Sequence, residues 1–204
     1  MRYEPDHKQQ TRQRVLKAAT RAIRAEGPHQ MAVAKVMAKA GLTVGGFYAH
    51  FSSKDDLIAA AIDEMFAEAR SRVILETGEL PPAEALSAYI DFYLSPAHRD
   101  ARATGCPMPS LAADLPRLSP TARERFAAGV AGLRRRIGER LALLGHDDPD
   151  AEASSMISEL VAEPPPQLRD ASREALAGLL GQAWQVRGQR RHRAAGGARV
   201  AVRG

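Results

Sequence analysis

The run Val36-Met37-Ala38-Lys39-Ala40-Gly41-Leu42-Thr43-Val44-Gly45-Gly46-Phe47-Tyr48-Ala49-His50-Phe51-Ser52-Ser53-Lys54 limits the fold more than any other part of the chain. It reads as two short helices around a glycine turn, followed at once by the cap of a third. Gly41 is able to take the positive φ that ends the first helix. Thr43 then stands at an N-cap position, where its hydroxyl is expected to accept from a backbone N–H. Gly45 and Gly46 are poor helix formers and keep the surface low. Phe47, Tyr48 and Phe51 follow on a helical spacing, with His50 between them. Ser52 and Ser53 supply new caps, and Asp55 and Asp56 lie in a first turn where the helix dipole favours acids. A short helix, a glycine turn and a second short helix form the unit that places a helix end in a DNA major groove.

These residues carry a resemblance. The segment from about Arg14 to Leu57, and within it AGLTVGGFYAHFSSKDDL, resembles the DNA-binding domain of the TetR family of bacterial transcriptional repressors. The resemblance covers about a quarter of the chain. It implies an all-α fold, with an N-terminal three-helix helix-turn-helix domain and a C-terminal helical ligand-binding and dimerisation domain. The implied division is residues 1–53 for the DNA-binding domain, 54–186 for the regulatory and dimerisation domain, and 187–204 for a basic tail.

Charge follows the same division. Residues 1–56 hold ten Lys/Arg against five Asp/Glu, residues 57–186 hold thirteen against nineteen, and residues 187–204 hold six Arg and no acid. A basic front on an acidic body suits a polyanion at one end. The tail has too little apolar surface to fold and is expected to be disordered.

Periodicity predicts helices over Lys8–Glu26, Val33–Ala40, Val44–Phe51, Lys54–Leu75 and Ala83–Leu94. Further helices follow around Ser110–Asp114, over Pro120–Leu144 and over Asp150–Ala162, with a last one over Gln167–Val186. Arg12, Arg14, Lys17, Arg21 and Arg24 are read as the polar side of the first helix. No strand-like alternation of useful length occurs. A hydrophobic fraction of 45% with 5% aromatics supplies a helical core. No run reaches the roughly 18 apolar residues of a membrane span, and Met1–Pro5 begins no signal-peptide core, so a soluble cytoplasmic protein is expected.

The resemblance makes Val44–Phe51 the recognition helix. It implies phosphate contacts from Thr43 and Lys54, and phosphate or base contacts from Tyr48 and His50. Hydroxyls, lysines and helix N-termini position a protein on phosphate without reading sequence. Gly45 and Gly46 let the backbone approach. Val44 donates no hydrogen bond but packs against a thymine methyl. The second helix lacks a Ser/Thr cap, having Met31-Ala32 there, and part of the specificity is assigned to Lys35, Lys39 and DNA shape. Phe47 and Phe51 are read as core.

Cys106, the one cysteine, lies in Thr104-Gly105-Cys106-Pro107-Met108-Pro109. This resembles a Gly-Cys segment of electrophile- and oxidant-responsive repressors in the family. A thiolate near a helix start with Arg99 and Arg102 close in sequence would be reactive; the alternative is a small buried hydrophobe. Phe92, Tyr93, Met108, Leu111, Phe126 and Met156 are candidates to line a ligand pocket, and equally what a helical core needs.

The motifs of an enzyme are missing. The six histidines make no HExxH pair, no GxSxG occurs, and GLTVGG lacks the Lys-Ser/Thr of a P-loop. No metal site and no cofactor are expected. The reading is therefore a DNA-binding regulator, a repressor released from its operator by a small molecule or thiol modification. The partners implied are a pseudo-palindromic double-stranded operator, a small-molecule or electrophile inducer and a second copy of the chain. The alternative is a helical protein-interaction module with a vestigial DNA-binding end. Pro164-Pro165-Pro166 cuts the eighth helix short, so the dimer is expected to be weaker than is usual in the family. Its contacts would come from Met156, Ile157, Leu160 and Val161, with Leu176, Leu179, Leu180 and Trp184 opposite.

Overall fold

The computed structural model describes residues 3–77, 79–101, 103–162 and 178. Among these there are helices and no strands. In order they are α1 (Tyr3–Glu26), α2 (Val33–Lys39), a 3-10 helix (Val44–Ala49), α3 (Lys54–Thr77), α4 (Pro82–Tyr93), α5 (Pro96–Asp100), α6 (Pro107–Leu111), a 3-10 turn (Leu115–Arg117), α7 (Pro120–Leu144) and α8 (Pro149–Val161).

Local chemistry sets the ends. Gly41 takes φ +72°, and the N–H groups of Gly41 and Leu42 donate to the carbonyls of Ala38 and Met37. This is the paired bond set of a Schellman cap, and it closes α2. Gly145, at φ +89°, closes α7 in the same way, with Gly145 and His146 donating to Ala142 and Leu141. Ser53 Oγ accepts from the Asp56 N–H at 3.0 Å, and Asp56 Oδ2 accepts from the Ser52 N–H at 2.9 Å. That reciprocal box starts α3. Ser119 caps α7 through Ala122 at 3.3 Å, and Asp148 caps α8 through Ala151 at 3.1 Å.

The described chain divides into two compact units, one of Met1–Ile74 with Pro96–Gly132, the other of Leu75–Ser95 with Leu133–Gly204. In the first, Val15, Ala19 and Ile23 of α1, Val36 and Met37 of α2, and Leu57, Ile62 and Met65 of α3 are buried with Leu111 of α6. Phe66 stacks edge-on against Phe126 at 5.6 Å. In the second, the buried residues are Leu86, Tyr89 and Ile90 of α4, Ile137 and Leu141 of α7, and Ala153, Met156 and Leu160 of α8. Gly138 there faces the Pro149 carbonyl, 3.3 Å from where a Cβ would stand. Arg134 pairs with Asp150 at 3.0 Å, and His146 pairs with Glu152.

Several expectations need correction. The segment after Thr43 is a 3-10 helix rather than α, because Gly45 and Gly46 offer no side chain to support an α turn. Thr43 holds the N-cap position, but its side chain makes no capping bond. Pro96–Asp100, where no helix was expected, is helical, and α6 starts at Pro107 rather than near Ser110, since proline suits a first helical turn. Arg24, assigned to the polar side of α1, is buried. The expected helix over Gln167–Val186, with Leu176, Leu179, Leu180 and Trp184, and the tail 187–204 lie outside the described residues.

Candidate nucleic-acid interface

The sequence makes a shallow, projecting edge from the glycine turn and the 3-10 helix. Phe47 and Phe51 are both buried and stack at 5.8 Å with their planes 27° apart, which anchors the segment to the core. That fixes what faces out. Tyr48 is 76% exposed and Val44 51% exposed, large side chains that folding alone would cover. Thr43 and Gly45 are exposed beside them, while Gly46 is half-buried against Met37. Lys35 and Lys39, four apart on α2, are exposed. The Tyr48 ring meets Phe47 edge-on at 5.2 Å, which fixes its direction.

Lys54 has a partner within the chain. Its Nζ donates to the His29 carbonyl at 2.8 Å, tying the start of α3 to the turn after α1. The ammonium's remaining N–H groups are available to donate to an approaching phosphate.

His50 is half-buried at the end of the 3-10 helix. Burial, with the charges of Lys8 and Arg12, holds its imidazole below the ordinary histidine value. The Arg12 guanidinium lies over the Phe51 ring, 4.8 Å from its centre. The N-terminal half of α1 therefore adds two cations to the edge formed by Tyr48 and His50. Sequence reasoning did not assign them a role there. Their spacing of four, which puts both on one helix face, was the available signal.

A second polar arrangement joins α1, α3 and the loop before α6. The Arg24 side chain is 1% exposed; its Nη1 donates to Glu68 Oε2 at 2.8 Å and to the Ala103 carbonyl at 3.4 Å. Arg72 donates to the Thr104 carbonyl at 2.8 Å. These bonds brace the loop that carries Cys106. Cys106 is half-buried and stands at the N-cap of α6, a helix of five residues. Arg99, expected to favour a thiolate, is paired with Asp100 at 2.6 Å. Arg102 lies outside the described residues.

The six pocket candidates fall in both units. Met108, Leu111 and Phe126 belong to the first, and Phe92, Tyr93 and Met156 to the second. Phe92 and Phe126 are half-buried and the other four are buried. No group of His, Cys, Asp and Glu among the described residues could hold a metal ion.

Residues 15–61 match the model for bacterial regulatory proteins of the tetR family. They contain the glycine turn, the exposed edge and the start of α3. Residues 15–61 carry a TetR-family DNA-binding domain. The chain is a DNA-binding transcriptional regulator and not an enzyme. Solved structures agree on the fold over most of its length. A TetR transcriptional regulator from Chloroflexus aurantiacus is 26% identical, with a TM-score of 0.67 over 88% of this chain and 93% of that one. The reduced form of NemR from E. coli is 21% identical, with a TM-score of 0.68 over 85% and 95%. A TetR-family regulator from Cytophaga hutchinsonii is 17% identical, with a TM-score of 0.75 over 86% and 96%. No curated protein matches the chain significantly. Among the described residues, no helix is long and apolar enough to cross a membrane.

Proposed function

We propose that this regulator is a cytoplasmic repressor that binds a pseudo-palindromic operator as a two-fold dimer. Residues 1–53 form its DNA-binding domain and 54–186 its regulatory and dimerisation domain. The observation that carries the reading is the exposed edge of Thr43, Val44, Gly45 and Tyr48 on a base of buried Phe47 and Phe51. Thr43, Tyr48, His50 and Lys54 position the protein on phosphate, Gly45 and Gly46 admit the backbone, and Val44 with Lys35 and Lys39 supports base reading. Paired half-sites follow from paired recognition elements.

Release is assigned to the regulatory domain, by a small molecule bound within one unit, near Met108, Leu111 and Phe126 or near Phe92, Tyr93 and Met156, or by an electrophile at Cys106. In favour of Cys106 is its place in a loop braced by Arg24 and Arg72, so that a bulky adduct would disturb contacts reaching α1 and α3. The test is operator binding by wild type and Cys106→Ser before and after an electrophile such as N-ethylmaleimide. Loss of binding by the wild type alone supports the thiol route. Equal loss, or none, removes Cys106 and leaves the small molecule.

A further inference from the structure

The basic face of α1 lies beside the recognition segment. Lys8 is exposed, and the half-buried Arg12 sets its guanidinium over the ring of Phe51, next in the chain to His50. Both act on His50, whose Nδ1 is buried and without a hydrogen-bond partner. Asp56, on the neighbouring first turn of α3, is engaged by Ser52, and Lys54 by the His29 carbonyl. Two fixed cations and a histidine thus share one edge, and like charges at close range destabilise one another. An anion at this edge would be attracted by both cations.

We propose that Lys8, Arg12 and His50 form one phosphate clamp for the DNA backbone, and that His50 takes up a proton from solvent when the duplex binds. The proposal rests on the DNA-binding reading above and adds its regulation by pH. In the free protein, burial and the two cations disfavour the charged imidazolium. A phosphodiester at the edge cancels the repulsion from Lys8 and Arg12 and accepts from the ring's Nε2. The proton from solvent adds to the Nε2 lone pair, giving the N–H that donates to the phosphate, while Nδ1 keeps its own hydrogen; no bond breaks, so the step needs no other reactant. By linkage, a site that gains a proton on binding binds more tightly as pH falls, up to about tenfold for each unit by which the complex raises its pKa. Because phosphate contacts are blind to sequence, the effect extends to any duplex.

The experiment measures binding of the full chain to a fluorescent 30-base-pair duplex of arbitrary sequence, at fixed ionic strength, from pH 8 to pH 6. Wild type should bind several-fold more tightly at pH 6. His50→Gln, checked for an unchanged melting curve, should be nearly flat, while His7→Gln and His29→Gln should behave as wild type. Lys8→Gln and Arg12→Gln should each lower the slope of log affinity against log salt by about one. A His50→Gln protein with the wild-type pH dependence overturns the proton step, and unchanged salt slopes in both cation variants overturn the clamp. Wild type that binds with no pH dependence defeats the proton step while leaving the DNA reading intact. Wild type that binds no duplex at any pH defeats both.

Discussion

Two glycines one turn apart on α7 should respond to the same substitution with opposite signs. A Cβ at Gly129 would lie 2.3, 2.4 and 2.5 Å from three ring atoms of Phe66. Ordinary contact is about 3.5–4.0 Å, so the ring would have to move by more than about 1 Å. Phe66 is buried and backed edge-on by Phe126, which leaves it little freedom. Overpacking of this kind costs about 1–3 kcal/mol, against about 1 kcal/mol gained by replacing glycine inside a helix. Gly129→Ala should therefore lose about 1 kcal/mol net. At Gly132 a Cβ meets nothing within 4 Å, and Gly132→Ala should keep the helix gain of about 1 kcal/mol. The difference of about 2 kcal/mol corresponds to roughly 4–8 °C in Tm for a chain of this size. Thermal unfolding followed by circular dichroism measures both variants directly. Equal Tm values for the two would refute the packing of Phe66 against α7.

Three other predictions follow from the polar contacts. Glu68→Ala should cost about 3–5 kcal/mol because it leaves Arg24 buried and unpaired, whereas Arg24→Met should cost less because Glu68 is partly exposed and rehydrates; urea titration of the two variants gives the order. Lys54→Ala should weaken binding to every duplex and lower the salt slope by about one, and titrations showing affinity and slope unchanged would remove Lys54 from the phosphate contacts. His50 is held below its ordinary value in the free protein, so its contribution to stability is present above the unfolded-state value and is lost as pH falls through the folded one. Wild type should lose more Tm than His50→Gln between pH 7 and pH 5, and parallel curves would contradict that assignment.

The local signals in the sequence located most elements because they act within a few residues. Gly41 and Gly145 end helices through their own φ, and Pro120 after Ser119 starts α7 where the pattern put it. Phe47 and Phe51 were legible as core from apolar spacing. What escaped depends on distant partners. Arg24 reads as polar surface because arginine is rarely buried, and only Glu68, forty-four residues on, and the Ala103 carbonyl make its burial tolerable. The spacing of Lys8 and Arg12 puts them on one helix face, but that this face lies beside His50 is a packing result. The 3-10 form of the recognition segment reflects two adjacent glycines whose effect on helix type is finer than their effect on helix propensity.

The edge around Tyr48 should bind a specific duplex. Selection from a random double-stranded library by the purified full chain, with Tyr48→Ala in parallel, tests it most directly. The expected result is enrichment of an inverted repeat with half-sites about one helical turn apart by the wild type, and its loss or strong weakening in the variant. Absence of any enriched sequence from the wild type, with binding that tracks salt alone, would show that this edge reads no sequence.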